Sequence, residues 1–122
     1  MSEQMVDPHV FVILGATGDL TRRKLLPALY HLRNQGVLES HNTLIVGTAL
    51  PEIGEEGFRL WAHEGLQKAG WRNEAELRAW CETYLHYQTL HEGGVEDYAA
   101  LAAYIRRLER THNMPENRVF YL

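Results

Sequence analysis

An uncharged apolar run at residues 10–14 ends abruptly at a glycine-containing turn, residues 15–18. A run rich in Val and Ile is typical of a strand buried on both faces of a parallel sheet. Gly15 and Gly18 can adopt backbone conformations closed to other residues, and they let a ligand approach the main chain. If a helix begins just after them, its first amides lack internal partners and its positive dipole end favours an anionic diphosphate.

After this turn, the apolar pattern predicts a helix. Apolar residues recur at three- and four-residue steps, and the helix is expected to end near Gly36. Proline is tolerated only in the first turn of a helix, so we expect an irregular turn over residues 19–24. The regular helix then begins near Leu25 or Leu26, which puts Pro27 in its first turn.

Six further elements follow from hydrophobic periodicity and from the positions of glycine. They are strands at residues 42–48, 85–90 and 117–122, and helices at residues 55–69, 73–83 and 95–110. Parallel pairing is implied where a helix separates two strands. We therefore predict an α/β fold, a Rossmann-like open parallel sheet of about four strands in the order 3-2-1-4 with helices on both faces.

Composition limits the class of protein. The chain has 122 residues, which suits a single domain, and its net charge of −4 argues against a nucleic-acid-binding protein. The single cysteine, Cys81, can make no internal disulfide and is typical of a reducing compartment, so we expect a cytoplasmic protein. The run at residues 10–14 is too short for a signal peptide or a membrane span. Residues 1–8 are expected to be a flexible leader before a domain at residues 9–122.

The glycine turn matches neither the general dinucleotide fingerprint G-x-G-x-x-G nor the P-loop. Thr17 and Leu20 stand where further glycines of the fingerprint would fall. The strand, the turn and the Thr17 hydroxyl remain as a phosphate-binding pattern, with the amides of Gly18, Asp19 and Leu20 placed for a diphosphate. Glycines that merely turn the chain are the alternative. The seven histidines and Cys81 form no convincing set of metal ligands, and we expect no metal.

Residues 15–29 read GATGDLTRRKLLPAL. This segment resembles the motif G-[AGT]-[ST]-G-D-L-A-[KR]-[KR]-K-L-x-P of the N-terminal NAD(P)-binding domain of the glucose-6-phosphate dehydrogenase family. The likeness continues through residues 45–49 and through residues 117–122, which are similar to the family segment before its Ala-x-Pro-Pro turn. It is weak between residues 51 and 94. The chain therefore resembles the family's coenzyme domain over nearly its whole length.

The resemblance implies that the parent protein is an NADP-dependent glucose-6-phosphate 1-dehydrogenase of the pentose phosphate pathway. Such an enzyme oxidises glucose 6-phosphate to 6-phosphogluconolactone. Residues 9–122 would then be an incomplete coenzyme domain, because the family's general-base histidine and its catalytic β+α domain lie beyond them. We therefore expect no catalytic residue in this chain, and we expect the chain alone to be inactive. The full-length protein is expected to be a homo-oligomer.

The resemblance also implies roles for individual residues. Lys24 would reach toward the sugar phosphate, and Tyr121 would line the coenzyme pocket. The residues implied to bind the coenzyme diphosphate are Gly15, Ala16, Thr17, Gly18, Asp19, Leu20, Thr21 and Arg22.

Two positions depart from the family pattern. Leu50 stands where the family usually has an arginine for the 2′-phosphate of NADP, so NAD remains an alternative coenzyme. Arg22, Arg23 or Arg59 are candidate substitutes for that arginine. Residues 91–92, His-Glu, stand where the family often has Asp and an apolar residue, at the adenine side of the site.

Two other functions remain open at the level of sequence. Residues 12–18 also suit a short-chain-reductase-like or NmrA-like NAD(P)-binding domain, although Thr21 stands near the place of the third glycine in those proteins. The other function is that of a non-catalytic nucleotide-sensing or interaction module that exposes its last strand to a partner.

Overall fold

A parallel sheet forms the centre of the computed structural model, which describes residues 7–39, 42–50 and 52–121. Within these residues the strands are β1 (His9–Leu14), β2 (Thr43–Ala49), β3 (Leu85–Thr89) and β4 (Arg118–Tyr121). Their order is β3-β2-β1-β4, and all three pairings are parallel. The predicted order 3-2-1-4 is therefore confirmed.

Helices cover both faces of this sheet. The helices are α1 (Leu26–Asn34), α2 (Gly54–Lys68), α3 (Glu74–Tyr84) and α4 (Val95–Thr111). The first three pack on one face around a core that includes Ile13, Phe58 and Trp80. On the other face, α4 packs through Leu101 and Ile105. The predicted layers are thus confirmed, with helix boundaries shifted by one or two residues.

The segment before α1 is helical, and the prediction of an irregular turn over residues 19–24 is wrong. Helical backbone begins at residue 19, and Thr21–Leu25 forms a π-helical turn. The Leu26 amide donates to the Thr21 carbonyl, five residues back. Pro27 lies in the first turn of α1 as predicted, and a proline lacks an amide and crowds the carbonyl four residues before it. We attribute the wider turn to this crowding, because the wider turn lets the helix continue through the proline.

Gly47 in β2 lies in a closely packed part of the structure. A Cβ added to Gly47 would lie 2.7 Å from Cζ of Phe58 and 2.8 Å from Cβ of Ala16. Glycine therefore lets α2 and the turn after β1 pack directly on the strand. Trp80 is 2% exposed and Trp71 packs edge-on against Tyr30, so both tryptophans act in core packing.

Two boundary predictions fall partly outside the described residues. They are the leader at residues 1–8, of which residues 7 and 8 are described, and the last residue of the predicted strand 117–122. In the part of the chain that the structure describes, no helix combines the length and the apolar character that a membrane crossing requires.

Candidate coenzyme site

The candidate site lies at the carboxyl ends of the strands, where β1 and β4 are neighbours. The chain leaves β1 toward β2 on one side, whereas it returns from β3 to β4 on the other side of β1. This reversal is a topological switch point, the place where open α/β sheets form a crevice for ligands. The glycine turn at residues 15–18 follows β1 directly, so the fold places it in this crevice.

The turn is fastened to β2 by its own amides. Gly15 has a φ of +74°, in the left-handed region that favours glycine. The amides of Gly15 and Ala16 donate to the Thr48 carbonyl at 2.9 and 3.1 Å. The Gly18 amide, which the sequence suggested for a diphosphate, donates to the Gly15 carbonyl at 3.0 Å. These three amides therefore shape the turn, in which Thr17 is half-buried.

The amides that follow the turn belong to the first helical residues, Asp19 to Thr21. The amides of the first helical turn have no acceptor within the helix, and the helix dipole makes this end positive. A Cβ added to Gly18 would lie 3.3 Å from the Gly15 carbonyl oxygen, so a larger residue at position 18 would crowd the turn itself. This combination fits an anionic diphosphate, although its binding there stays a prediction.

Arg22 is turned toward α2 rather than toward the turn. Its Nε donates to the Trp61 carbonyl at 3.1 Å, and its Nη2 lies 3.1 Å from Oε1 of Glu64. The guanidinium also lies 5.4 Å from the centre of the Trp61 ring. Glycine at position 65 permits this contact, since a Cβ there would lie 2.6 Å from Cγ of Arg22. The predicted role of Arg22 at the diphosphate is untested, and in this structure its guanidinium joins two helices.

Lys24 lies in a basic depression of about 320 Å³ between the π-helical turn and the end of α2. The depression is also lined by Arg22, Arg23 and Lys68, with Asp19 as its acidic member. Nε of Arg23 lies 2.6 Å from Oδ2 of Asp19, which neutralises part of the charge. The remaining positive charge suits a phosphorylated ligand.

Tyr121 closes β4 next to the glycine turn. In the parallel register it pairs with Ile13, two residues before Gly15. Its ring stacks on Phe11 with centroids 6.4 Å apart, and the residue is 37% exposed. The structure therefore brings Tyr121 and the turn to the same edge of the sheet, as a lining role requires.

The end of β2 presents no arginine at position 50. Leu50 is 56% exposed there. Arg23 and Arg59 were candidates to replace the arginine that meets the 2′-phosphate. Arg23 pairs with Asp19, whereas Nε of Arg59 donates to the Leu85 carbonyl at 3.0 Å. Leu85 begins β3, four residues before the strand ends, which places that contact about 13 Å from the carboxyl edge.

A pair that sequence reasoning missed joins the loops after β2 and β3. Nδ1 of His91 lies 2.9 Å from Oε1 of Glu52. The sequence marked His91 as a departure from the family pattern, but it contained no local signal that His91 meets Glu52. Their contact depends on the pairing of β2 with β3, which brings Ala49 beside Thr89.

The single cysteine belongs to the core. Cys81 is buried between α2, α3 and the sheet, and burial raises the pKa of its thiol to about 12, so it is an unreactive core residue. Among the described residues, no group of three or more His, Cys, Asp and Glu side chains converges as a metal site would require.

Comparison with known proteins identifies the family. Residues 12–122 match the family described as "Glucose-6-phosphate dehydrogenase, NAD binding domain". The chain is 37% identical to glucose-6-phosphate 1-dehydrogenase of Chlamydia muridarum over 94% of the chain and 23% of that relative. It is 30% identical to the enzyme of Leuconostoc mesenteroides over 88% of the chain and 22% of that relative.

A solved structure gives the same result. A glucose-6-phosphate dehydrogenase in complex with its substrate glucose-6-phosphate superposes on all of this chain with a TM-score of 0.81 and 29% identity, covering 25% of that protein. The chain thus spans about a quarter of the length of its relatives. It belongs to the glucose-6-phosphate dehydrogenase family, as the family's NAD-binding domain.

Proposed function

We propose that this chain is the coenzyme-binding part of a glucose-6-phosphate 1-dehydrogenase that uses NADP. The enzyme would oxidise glucose 6-phosphate to 6-phosphogluconolactone by passing the C1 hydride to the nicotinamide ring. The observation that carries the proposal is the family match over residues 12–122, with the glycine turn at the switch point of the sheet. That match favours this function over a short-chain-reductase-like domain or a sensing module.

In this proposal each described residue has a limited task. The first-turn amides at residues 19–21 and the Thr17 hydroxyl bind and orient the diphosphate. Tyr121 forms one wall of the coenzyme pocket. Lys24 supplies positive charge toward the sugar phosphate, because an ammonium is a compact charge that strongly attracts phosphate oxygens. The bound coenzyme supplies hydride acceptance, and the residues around it exclude water and hold its orientation.

The remainder of the enzyme lies outside this chain. The general-base histidine and most of the sugar-phosphate pocket would belong to the catalytic β+α domain of a longer, homo-oligomeric cytoplasmic protein. We expect the 122-residue chain alone to be inactive. We place NADP ahead of NAD on the family likeness.

Steady-state kinetics of the full-length protein test this function. Reduced coenzyme should form only when glucose 6-phosphate and an oxidised dinucleotide are both present. Lys24→Ala should raise the KM for glucose 6-phosphate by about tenfold, because one charge-assisted phosphate contact is lost. Arg106→Ala, at an exposed cation on α4 and outside this depression, is the control, and it should change this KM by less than about twofold.

Two results would contradict the proposal. One is full-length protein that gives no turnover of glucose 6-phosphate with either coenzyme. The other is turnover by the 122-residue chain alone, which would refute the assignment of the catalytic base to a domain outside residues 9–122.

A further inference from the structure

The Glu52–His91 pair lies where a dinucleotide-binding fold distinguishes its two coenzymes. In such folds an acidic residue after the second strand binds the free 2′-hydroxyl of NAD, or an arginine nearby accommodates the 2′-phosphate of NADP. Here β2 ends at Ala49, and Glu52 follows it within the next loop. His91 reaches the same position from the loop after β3, with 2.9 Å between Nδ1 and Oε1 of Glu52.

The backbone holds this pair in place. The Leu90 amide donates to the Ala49 carbonyl at 2.8 Å, which ties the loop after β3 to the end of β2. The Asp97 carboxylate accepts from the Gly93 and Gly94 amides at 3.1 and 3.2 Å. His91 has a φ of 58°, a conformation that non-glycine residues rarely adopt and that needs a fixed surrounding. Both partner side chains remain accessible, at 71% exposure for Glu52 and 53% for His91.

The nearest arginine candidates are committed elsewhere. Arg22 is bonded to the Trp61 carbonyl and to Glu64, and Arg23 is paired with Asp19. Arg59 contacts the Leu85 carbonyl, and its Nη2 lies 3.0 Å from Oε1 of Glu55. These contacts leave the imidazole of His91 as the nitrogen-bearing side chain that the described loops present beside the end of β2.

We infer that Glu52 and His91 together set the coenzyme preference of this domain. The inference rests on the proposed dehydrogenase function. Glu52 accepts a hydrogen bond from the free ribose 2′-hydroxyl of NAD. When the ring carries both protons, Nε2 of His91 donates to the 2′-phosphate of NADP while Nδ1 remains on Glu52. An acid and a base at one position bind both coenzymes, with affinities within about tenfold of each other.

Direct binding tests the inference without relying on turnover. The full-length protein is titrated with NADH and with NADPH at one neutral pH, and nicotinamide fluorescence gives the ratio of the two Kd values. Glu52→Gln removes the charge that repels a phosphate, so NADPH should gain about three- to tenfold over NADH. His91→Asn removes the imidazole and keeps a residue that tolerates the left-handed backbone. The affinity for NADH should therefore gain about three- to tenfold over the affinity for NADPH.

A surface glutamate on α2 provides the control. Glu56→Gln changes a side chain that is 92% exposed, and it should leave the ratio within about twofold of the parent. Ratios unchanged within about twofold in both Glu52→Gln and His91→Asn would overturn the inference, as would shifts in the reverse directions. Protein that binds neither coenzyme would instead refute the dehydrogenase function itself.

Discussion

The two edges of the sheet differ sharply in how they are covered. At the β3 edge, the Tyr104 hydroxyl donates to Oε2 of Glu55 at 2.6 Å and also bonds the main chain of Tyr87. Arg59 joins the same carboxylate and donates to the Leu85 carbonyl. This edge is therefore closed by side chains from α2 and α4.

The β4 edge has no comparable cover among the described residues. Val119, Phe120 and Tyr121 are 44%, 55% and 37% exposed there. An exposed apolar edge strand is the place where a sheet is extended by further chain or by another molecule. The comparison shows that one sheet contains a finished edge and an extendable one, and that the extendable one adjoins the glycine turn at residues 15–18.

The largest effect is expected from the ion pair that fastens β4. Arg118 binds both carboxylate oxygens of Glu109 on α4, at 2.9 and 2.7 Å, and Glu109 is only 3% exposed. Arg118→Ala leaves a buried carboxylate unpaired, so the free energy of unfolding should fall by about 3 kcal/mol. Denaturant unfolding measures it, with exposed Arg110→Ala as control. A loss no larger than that of the control would show that β4 does not depend on this pair.

A smaller effect is expected at the closed β3 edge. Tyr104→Phe removes a hydroxyl that serves both Glu55 and the Tyr87 main chain. The free energy of unfolding should fall by about 1–2 kcal/mol, the cost of losing a partly buried hydrogen bond to a charged group. Tyr98→Phe, at a tyrosine that is 48% exposed on the same helix, should be neutral. Equal effects of the two variants would refute the closed-edge description.

The β3 edge should also respond to pH. Burial lowers the pKa of His86 from its ordinary value of 6.5, and Arg59 and His112 lower it further, against the opposing effect of Glu55. Below pH 6.5 the unfolded chain gains a proton that the folded chain resists, so stability falls as pH decreases. Between about pH 7.5 and about pH 5.5, the free energy of unfolding of His86→Gln should fall less than that of the parent. The control variant His31→Gln, at an exposed position, should show the same pH dependence of stability as the parent. Parallel stability profiles for all three proteins would show that His86 does not cause this pH dependence.

The smallest effect on stability, with a clear effect on association, is expected at the open edge. Phe120→Lys places a charge on an exposed strand residue and should change the free energy of unfolding by less than about 0.5 kcal/mol. Because a lysine on an edge strand opposes edge-to-edge pairing, concentration-dependent self-association of the 122-residue chain should disappear. Sedimentation at several concentrations measures it. A parent chain that stays monomeric throughout would show that this edge does not promote association.

Local sequence patterns predicted the elements of the fold with small boundary errors. Alternation, helical periodicity and glycine positions are properties of neighbouring residues, and they sufficed for the four strands. The order 3-2-1-4 was predicted from the connection rules of open parallel sheets. The π-helical turn at Thr21–Leu25 escaped prediction. The sequence shows that Pro27 disturbs a helix, but the energetic balance between an irregular turn and a widened one depends on packing against α2.

The site was predictable only in part, for the same reason. The glycine turn and the basic residues after it could be recognised because they form one continuous segment. That the Gly18 amide bonds within the turn, and that Arg22 turns toward Trp61, follows from contacts with β2 and α2. These partners are far away in sequence, so no motif describes them.

The sequence by itself predicted the α/β class, the strand order, the family and a candidate phosphate-binding segment. The tertiary structure decided which amides and cations remain available, which edge is closed, and that Glu52 meets His91. The hydrophobic pattern indicates which residues are buried and which are exposed, and it can be read from residues that are neighbours in the sequence. Pairing between charged side chains depends on a few ångströms of separation across the sheet, and only the packed strands and helices set such distances.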